Sequence, residues 1–135
     1  MQNKVCIEGI RTYSFHGCME AEAAVGSLYS TDVTVETDFM EAARADNLTG
    51  TVDYGRIALI VRQEMDIRSR LVENVAYRIY TAVHREFPQA GKVTAVSYTH
   101  LTSSLHFLVF AFSRISSTSV SAELPPNSSA MVFIC

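Results

Sequence analysis

At 135 residues, with 48% hydrophobic residues and a formal net charge of −3, the chain is long enough for one domain with a real core and lacks the basic surplus that nucleic acid demands. No run of about eighteen apolar residues is present to span a bilayer, and the opening Met1-Gln2-Asn3-Lys4 has no apolar segment of a secretory signal, so an ordinary soluble, cytoplasmic protein is expected. Cys6, Cys18 and Cys135 are odd in number and lack CxxC spacing, which argues for free thiols and against a disulfide framework or zinc site.

Val5 to Tyr13 reads as a strand, with Val5, Ile7 and Gly9 alternating imperfectly with Cys6, Glu8 and Ile10. Ser14-Phe15-His16-Gly17-Cys18 marks a tight turn or bulge, and Met19 to Ser27 reads as a loop carrying Glu20 and Glu22 among small alanines. Leu28 to Asp38 is the clearest strand. Thr31, Val33, Val35 and Thr37 share one face and Asp32, Thr34, Glu36 and Asp38 the other, which predicts one buried face, one wet face and an antiparallel sheet. Met40 to Ala45 forms a short helical turn, ended by Asp46-Asn47-Leu48-Thr49-Gly50.

Thr51-Val52-Asp53-Tyr54-Gly55 then enters the first long helix, Tyr54 to Arg68. Asp53 is suited to cap it by accepting from a free N–H of the first turn. Ile57, Ile60, Val61 and Met65 form its apolar stripe. The second helix runs from Arg70 to Phe87, with Val72, Val75, Ala76, Ile79 and Val83 on one side, and Pro88 ends it. Lys92 to Val96 begins another strand. The order predicts an α+β sandwich with both helices over one face of an antiparallel sheet.

Beyond Val96 the composition breaks. Residues 97–135 carry only Arg114 and Glu123 as charged residues, together with ten serines. The apolar run 105–112 suits one final strand, and the Ser-rich stretch with Pro125-Pro126 reads as unstructured. Two origins compete: a natural divergent C-terminus, or a tail from a frameshift or chimeric read, which the abruptness of the change favours. Ser97-Tyr98-Thr99-His100-Leu101 also resembles a translated sequencing-adapter peptide.

Three side chains carry candidate chemistry. Tyr54, in a first helical turn, suits a phenol facing a cleft as proton donor or acceptor, although a packed aromatic is the plainer reading. Glu73 lies one turn into the second helix beside apolar neighbours. It is either an exposed carboxylate favoured by the helix dipole or a bidentate acceptor for the paired N–H groups of a heterocycle. Glu22 reads as a solvated carboxylate unless something else claims it. His16, His84, His100 and His106 show no metal-ligand spacing, and no Gly-rich phosphate loop, GxSxG or HExxH occurs.

Taken in order, Gly9-Ile10-Arg11 with Tyr13, His16-Gly17 and Glu22, then Asp46-Asn47-Leu48, Thr51-Val52-Asp53-Tyr54-Gly55 and Leu71-Val72-Glu73-Asn74-Val75-Ala76, with Phe87-Pro88 before Lys92-Val93, resemble the dihydroneopterin aldolase family over about residues 3–96. The resemblance implies the tunnelling fold (T-fold): a four-stranded antiparallel sheet with two helices on one face, its subunits closing edge to edge into a tetramer ring or a stacked homo-octamer with sites between neighbours. It implies a lyase of folate biosynthesis, cleaving 7,8-dihydroneopterin by a retro-aldol step to 6-hydroxymethyl-7,8-dihydropterin and glycolaldehyde, without metal, Schiff base or other cofactor. It also implies roles: Glu73 anchors the amino-pyrimidine edge of the pterin and Val72 touches the ring through its backbone. Tyr54 relays a proton near the reacting carbons, and Glu22 binds the polar side chain of the substrate. The family's basic lysine in the third strand falls here at about Ser97 or Tyr98, and no lysine follows Lys92. An aldolase impaired in this chain is therefore expected, with a domain over residues 1–96 that is incomplete at its C-terminal end. The related dihydroneopterin triphosphate epimerase and a non-catalytic pterin-binding ring subunit are the alternatives.

Overall fold

The second strand sets the frame of the molecule. In the computed structural model, which describes residues 3–101 and 104–112 and side chains through residue 97, β2 is Ser27–Thr37. Its alternation is the one expected: Thr31, Val33, Val35 and Thr37 are buried while Asp32, Thr34 and Glu36 are half-buried on the opposite face. On one side β2 pairs antiparallel with β1 (Asn3–Ser14), bringing Val5 opposite Val35 and Ile7 opposite Val33. On the other it pairs antiparallel with β3 (Val93–Leu101), bringing Val35 opposite Val93 and Val33 opposite Ala95. β4 (Ser104–Phe112) lies antiparallel beside β3, so the strands stand in the order β1-β2-β3-β4. The third strand thus runs through Val96, where the composition changes. The Ser-rich stretch beyond 112 and its Pro125-Pro126 lie outside the described residues.

The imperfect alternation of the first strand has a structural cause. The β1–β2 register shifts between Ile7 and Ile10, and Gly9 takes φ +70 with its N–H donated to Asp32 Oδ1 at 2.7 Å. The extra residue of this bulge turns Ile10, not Gly9, toward the core. One expectation is overturned outright: the loop read over Met19–Ser27 contains a helix, α1 (Glu20–Val25). Glu-Ala-Glu-Ala-Ala is strong helix-forming sequence. Glu22, three residues past the N-cap, reaches back to accept the Met19 N–H at 3.1 Å, half of a capping box.

After α2 (Met40–Ala45) and a 3-10 turn at Leu48–Gly50 come the two long helices, α3 (Tyr54–Asp66) and α4 (Val72–Glu86). Both are shorter than the periodicity predicts, because Ile67 to Leu71 form the corner between them. Asp53 caps α3 as expected, its Oδ1 accepting from Gly55 N at 2.8 Å and Arg56 N at 3.3 Å. The helices are antiparallel: Arg56 of α3 meets Glu86 of α4 at 2.9 Å near one end, and Arg78 meets Glu64 at 3.0 Å near the other. Ile57, Ile60, Val61 and Met65 from α3 and Val75, Ile79 and Val83 from α4 enclose Val33, Val35, Val93 and Ala95 of the sheet in one core. No helix among the described residues is long and apolar enough to cross a membrane.

Candidate active site

The expected site residues fall at two separated places. Val72 and Glu73 form the first turn of α4, at the corner after α3. Val72 lines a cavity of about 10 Å³ together with Thr31, Met65, Ala95 and Ser97. Ser97, one of the two positions where a basic lysine is expected, therefore faces the same small space as Val72. Its Oγ lies 3.5 Å from Thr31 Oγ1. Glu73 is half-buried, and its carboxylate has no hydrogen-bond or ion-pair partner among the described residues. A half-buried carboxylate without a partner is costly, while the free N–H groups of the first helical turn favour its charge.

Glu22 is brought to this same corner. The turn before it carries Gly17 at φ +129, and a Cβ built there would run into the Glu22 carboxylate. Only glycine leaves room for the carboxylate to lie across the turn. The other side of the turn is tied to the α3–α4 corner: Gly17 N–H donates to Ser69 O at 3.0 Å, and Arg68 Nη2 donates to Gly17 O at 3.2 Å. Beneath it, His16 is 2% exposed; its Nδ1 accepts the Ser69 N–H at 3.2 Å. Burial first, and the charges of Arg78 and Arg68 besides, hold the imidazole below its ordinary pKa. Tyr29 meets the His16 ring edge-on, with centroids 5.4 Å apart, and donates its hydroxyl to His16 O at 3.3 Å. Burial, and secondarily the neighbouring Glu22 charge, push its phenol up to about 12.

Tyr54 is elsewhere. It is 66% exposed and lines a groove of about 310 Å³ with Val5, Phe39, Asn47, Leu48 and Val52. It stands at the start of α3, and Val72 and Glu73 follow the end of that 13-residue helix, so about 20 Å of helix separates them. Within one chain the phenol does not share a cleft with Glu22 or Glu73.

Comparison with known proteins gives this arrangement its context. The family model of dihydroneopterin aldolase matches residues 5–121. A Staphylococcus haemolyticus dihydroneopterin aldolase is 35% identical over 80 residues, covering 58% of this chain and 95% of that protein. The chain belongs to the dihydroneopterin aldolase family.

Two solved structures share the fold at lower identity. The crystal structure of E. coli dihydroneopterin aldolase in complex with neopterin superposes with a TM-score of 0.73 at 20% identity, over 83% of this chain and 98% of that one. The Burkholderia thailendensis dihydroneopterin aldolase bound to guanine gives 0.62 at 14% identity, over 84% and 93%. Sequence reasoning took His16-Gly17 as a turn and did not foresee its grip on the α3–α4 corner. It also missed Ser69 and Arg78. Arg78 Nη1 donates to Asn74 Oδ1 at 2.8 Å and to Ser69 Oγ, and Nη2 to the carbonyls of Glu64 at 2.8 Å and Ile67 at 2.7 Å. A glycine after a buried-type aromatic was the only local signal. Among the described residues, no group of three or more His, Cys, Asp and Glu side chains is arranged to hold a metal ion.

Proposed function

We propose that this chain is a pterin-binding member of the aldolase family whose retro-aldol chemistry is impaired. The observation that carries the reading is Glu73, a half-buried carboxylate at the start of α4 without a partner among the described residues, beside the Val72 cavity that Ser97 also lines. Two parallel N–H groups, as on an amino-pyrimidinone edge, match the two carboxylate oxygens and relieve the cost of burial. The neopterin and guanine held by the E. coli and Burkholderia proteins both present such an edge. Glu22, on the far side of the Gly17 turn, is placed to receive the hydroxyls of the side arm. Tyr54 reaches that arm from a neighbouring copy, which accounts for its distance from Glu73 in one chain. The functional unit is accordingly a homo-oligomer, a closed ring or a stacked pair of rings.

In the retro-aldol step a proton leaves the side-chain hydroxyl, the carbon–carbon bond breaks to release glycolaldehyde, and the electron pair passes into the dihydropterin ring, which is later reprotonated at carbon. Ser97, which we assign to the lysine's place, offers an alcohol where an amine base is needed. Loss of a general base costs about 10² to 10⁴ in rate. That substitution also favours the second reading, a ring subunit that binds a pterin without cleaving it. The composition changes at residue 97, and Glu22, Tyr54, Val72 and Glu73 all precede that change.

The test is neopterin binding and dihydroneopterin cleavage by the purified chain. We expect binding, turnover about 10² to 10⁴ below that of an aldolase with its base, a rise in turnover for S97K, and loss of binding for E73Q. Absence of binding overturns the pterin reading, and turnover at the rate of a base-equipped aldolase overturns the impairment.

A further inference from the structure

We propose that His16 is a positioning residue: it fixes Glu22 relative to the first turn of α4, and its protonation releases that alignment. The proposal rests on the pterin reading above for its ligand and on the geometry of the α3–α4 corner for its mechanism.

Nδ1 of His16 accepts from the Ser69 N–H, so in the neutral ring the proton sits on Nε2. Nε2 has no hydrogen-bond partner among the described residues, and the Met65 backbone lies close enough to the ring to favour its charged form. One contact therefore holds the ring in register with the corner. The next residue, Gly17, is bonded to Ser69 and Arg68 on one side and covered by the Glu22 carboxylate on the other. Ser69 precedes Val72 by three residues. The path from Glu22 through Gly17, His16 and Ser69 to the start of α4 is short at every link. A proton added to Nδ1 would set one donor against another and break the Ser69 contact.

The charges around the ring oppose that proton. Arg78 of α4 and Arg68 of the corner both bear on the imidazole unfavourably. Glu64 of α3 is engaged by Arg78, and Glu22 of α1 lies across Gly17 and is turned to the Met19 N–H. Tyr29 of β2 faces the ring edge-on as a neutral phenol. An imidazolium thus finds burial, two cations and an N–H donor set against the favourable Met65 backbone, and the corner opens when it forms.

Neopterin affinity, followed by the ligand's own fluorescence from pH 5.5 to 7.5, tests this in the full chain and in two variants. H16N places a non-titrating amide oxygen where Nδ1 stood; H16A removes the acceptor. We expect wild-type affinity to fall about tenfold on acidification, an ordinary size for the coupling of two sites. H16N should stay flat and near the wild-type value of pH 7.5, and H16A should bind weakly at every pH while remaining folded by circular dichroism. An H16N profile that titrates like the wild type, or an H16A protein that binds normally at pH 7.5, overturns the proposal. Amide exchange of the peptide spanning 66–75, corrected for chemical exchange and measured without ligand, separates the two readings. Acid-triggered opening in the wild type and not in H16N supports the His16 latch whether or not neopterin binds; its absence overturns the latch. Absence of neopterin binding alone counts against the pterin assignment.

Discussion

At the scale of single residues, the molecule's most consequential choices are those that leave a group short of partners. Glu73 keeps a carboxylate half out of water with none of the described residues to meet it, and His16 keeps a buried ring whose protonation the charges of Arg78 and Arg68 oppose. For His16 the pH dependence has a definite sign. Its folded pKa is depressed, so the unfolded chain binds the proton first. Its contribution to stability is complete above the unfolded value near 6.5 and is lost as pH falls below it, until the folded pKa is passed. The urea midpoint of the wild type should fall between pH 7.5 and 5.5 by more than that of H16N at the same protein concentration. Equal shifts would assign the acid sensitivity to other groups.

At the scale of elements, the corner between α3 and α4 is braced from the α4 side by one side chain. Arg78 satisfies carbonyls at the end of α3, the Ser69 hydroxyl and Glu64 with a single planar fork, a task a lysine ammonium cannot copy. R78K should cost about 1–3 kcal/mol through unsatisfied groups, read from urea unfolding at fixed concentration. A change under about 0.5 kcal/mol, the size of an ordinary surface substitution, would show the fork to be dispensable. What the sequence revealed of these elements follows a physical divide. The Asp53 cap and the stripe from Ile57 to Met65 were legible because both depend on neighbours within one or two turns. The Ile10 switch at the Gly9 bulge was not, since it is set by pairing with β2 across a gap of more than twenty residues. Nor was α1, a six-residue helix too short to show a period and fixed by its ends. Of the candidate site, Glu22, Tyr54 and Glu73 stand out by residue type and position, while Val72 and the roles of all four come through resemblance. The separation of Tyr54 from Glu73 follows from the length of α3, but the placement of Glu22 at the far corner needed the Gly17–Ser69 contact to be seen.

At the scale of the whole molecule, that division makes completeness a property of more than one chain. Y54A and E73Q, each defective alone, should complement when dissociated, mixed in equal amounts and reassembled. About one quarter of the junctions then pair an intact phenol with an intact carboxylate if assembly is random and head-to-tail. Neopterin binding stoichiometry reads this directly, and a mixture that binds no more than its separate components would show that Tyr54 and Glu73 do not meet between copies. The strand order has a different kind of consequence. β1 and β4 lie at opposite margins of one sheet, so copies adding margin to margin have no built-in end point. Whether such growth returns on its origin or runs on as a fibre is a matter of curvature, to which the glycine kink in β1 contributes. A change of bend there would decide not how tightly copies join but whether their joining ever stops.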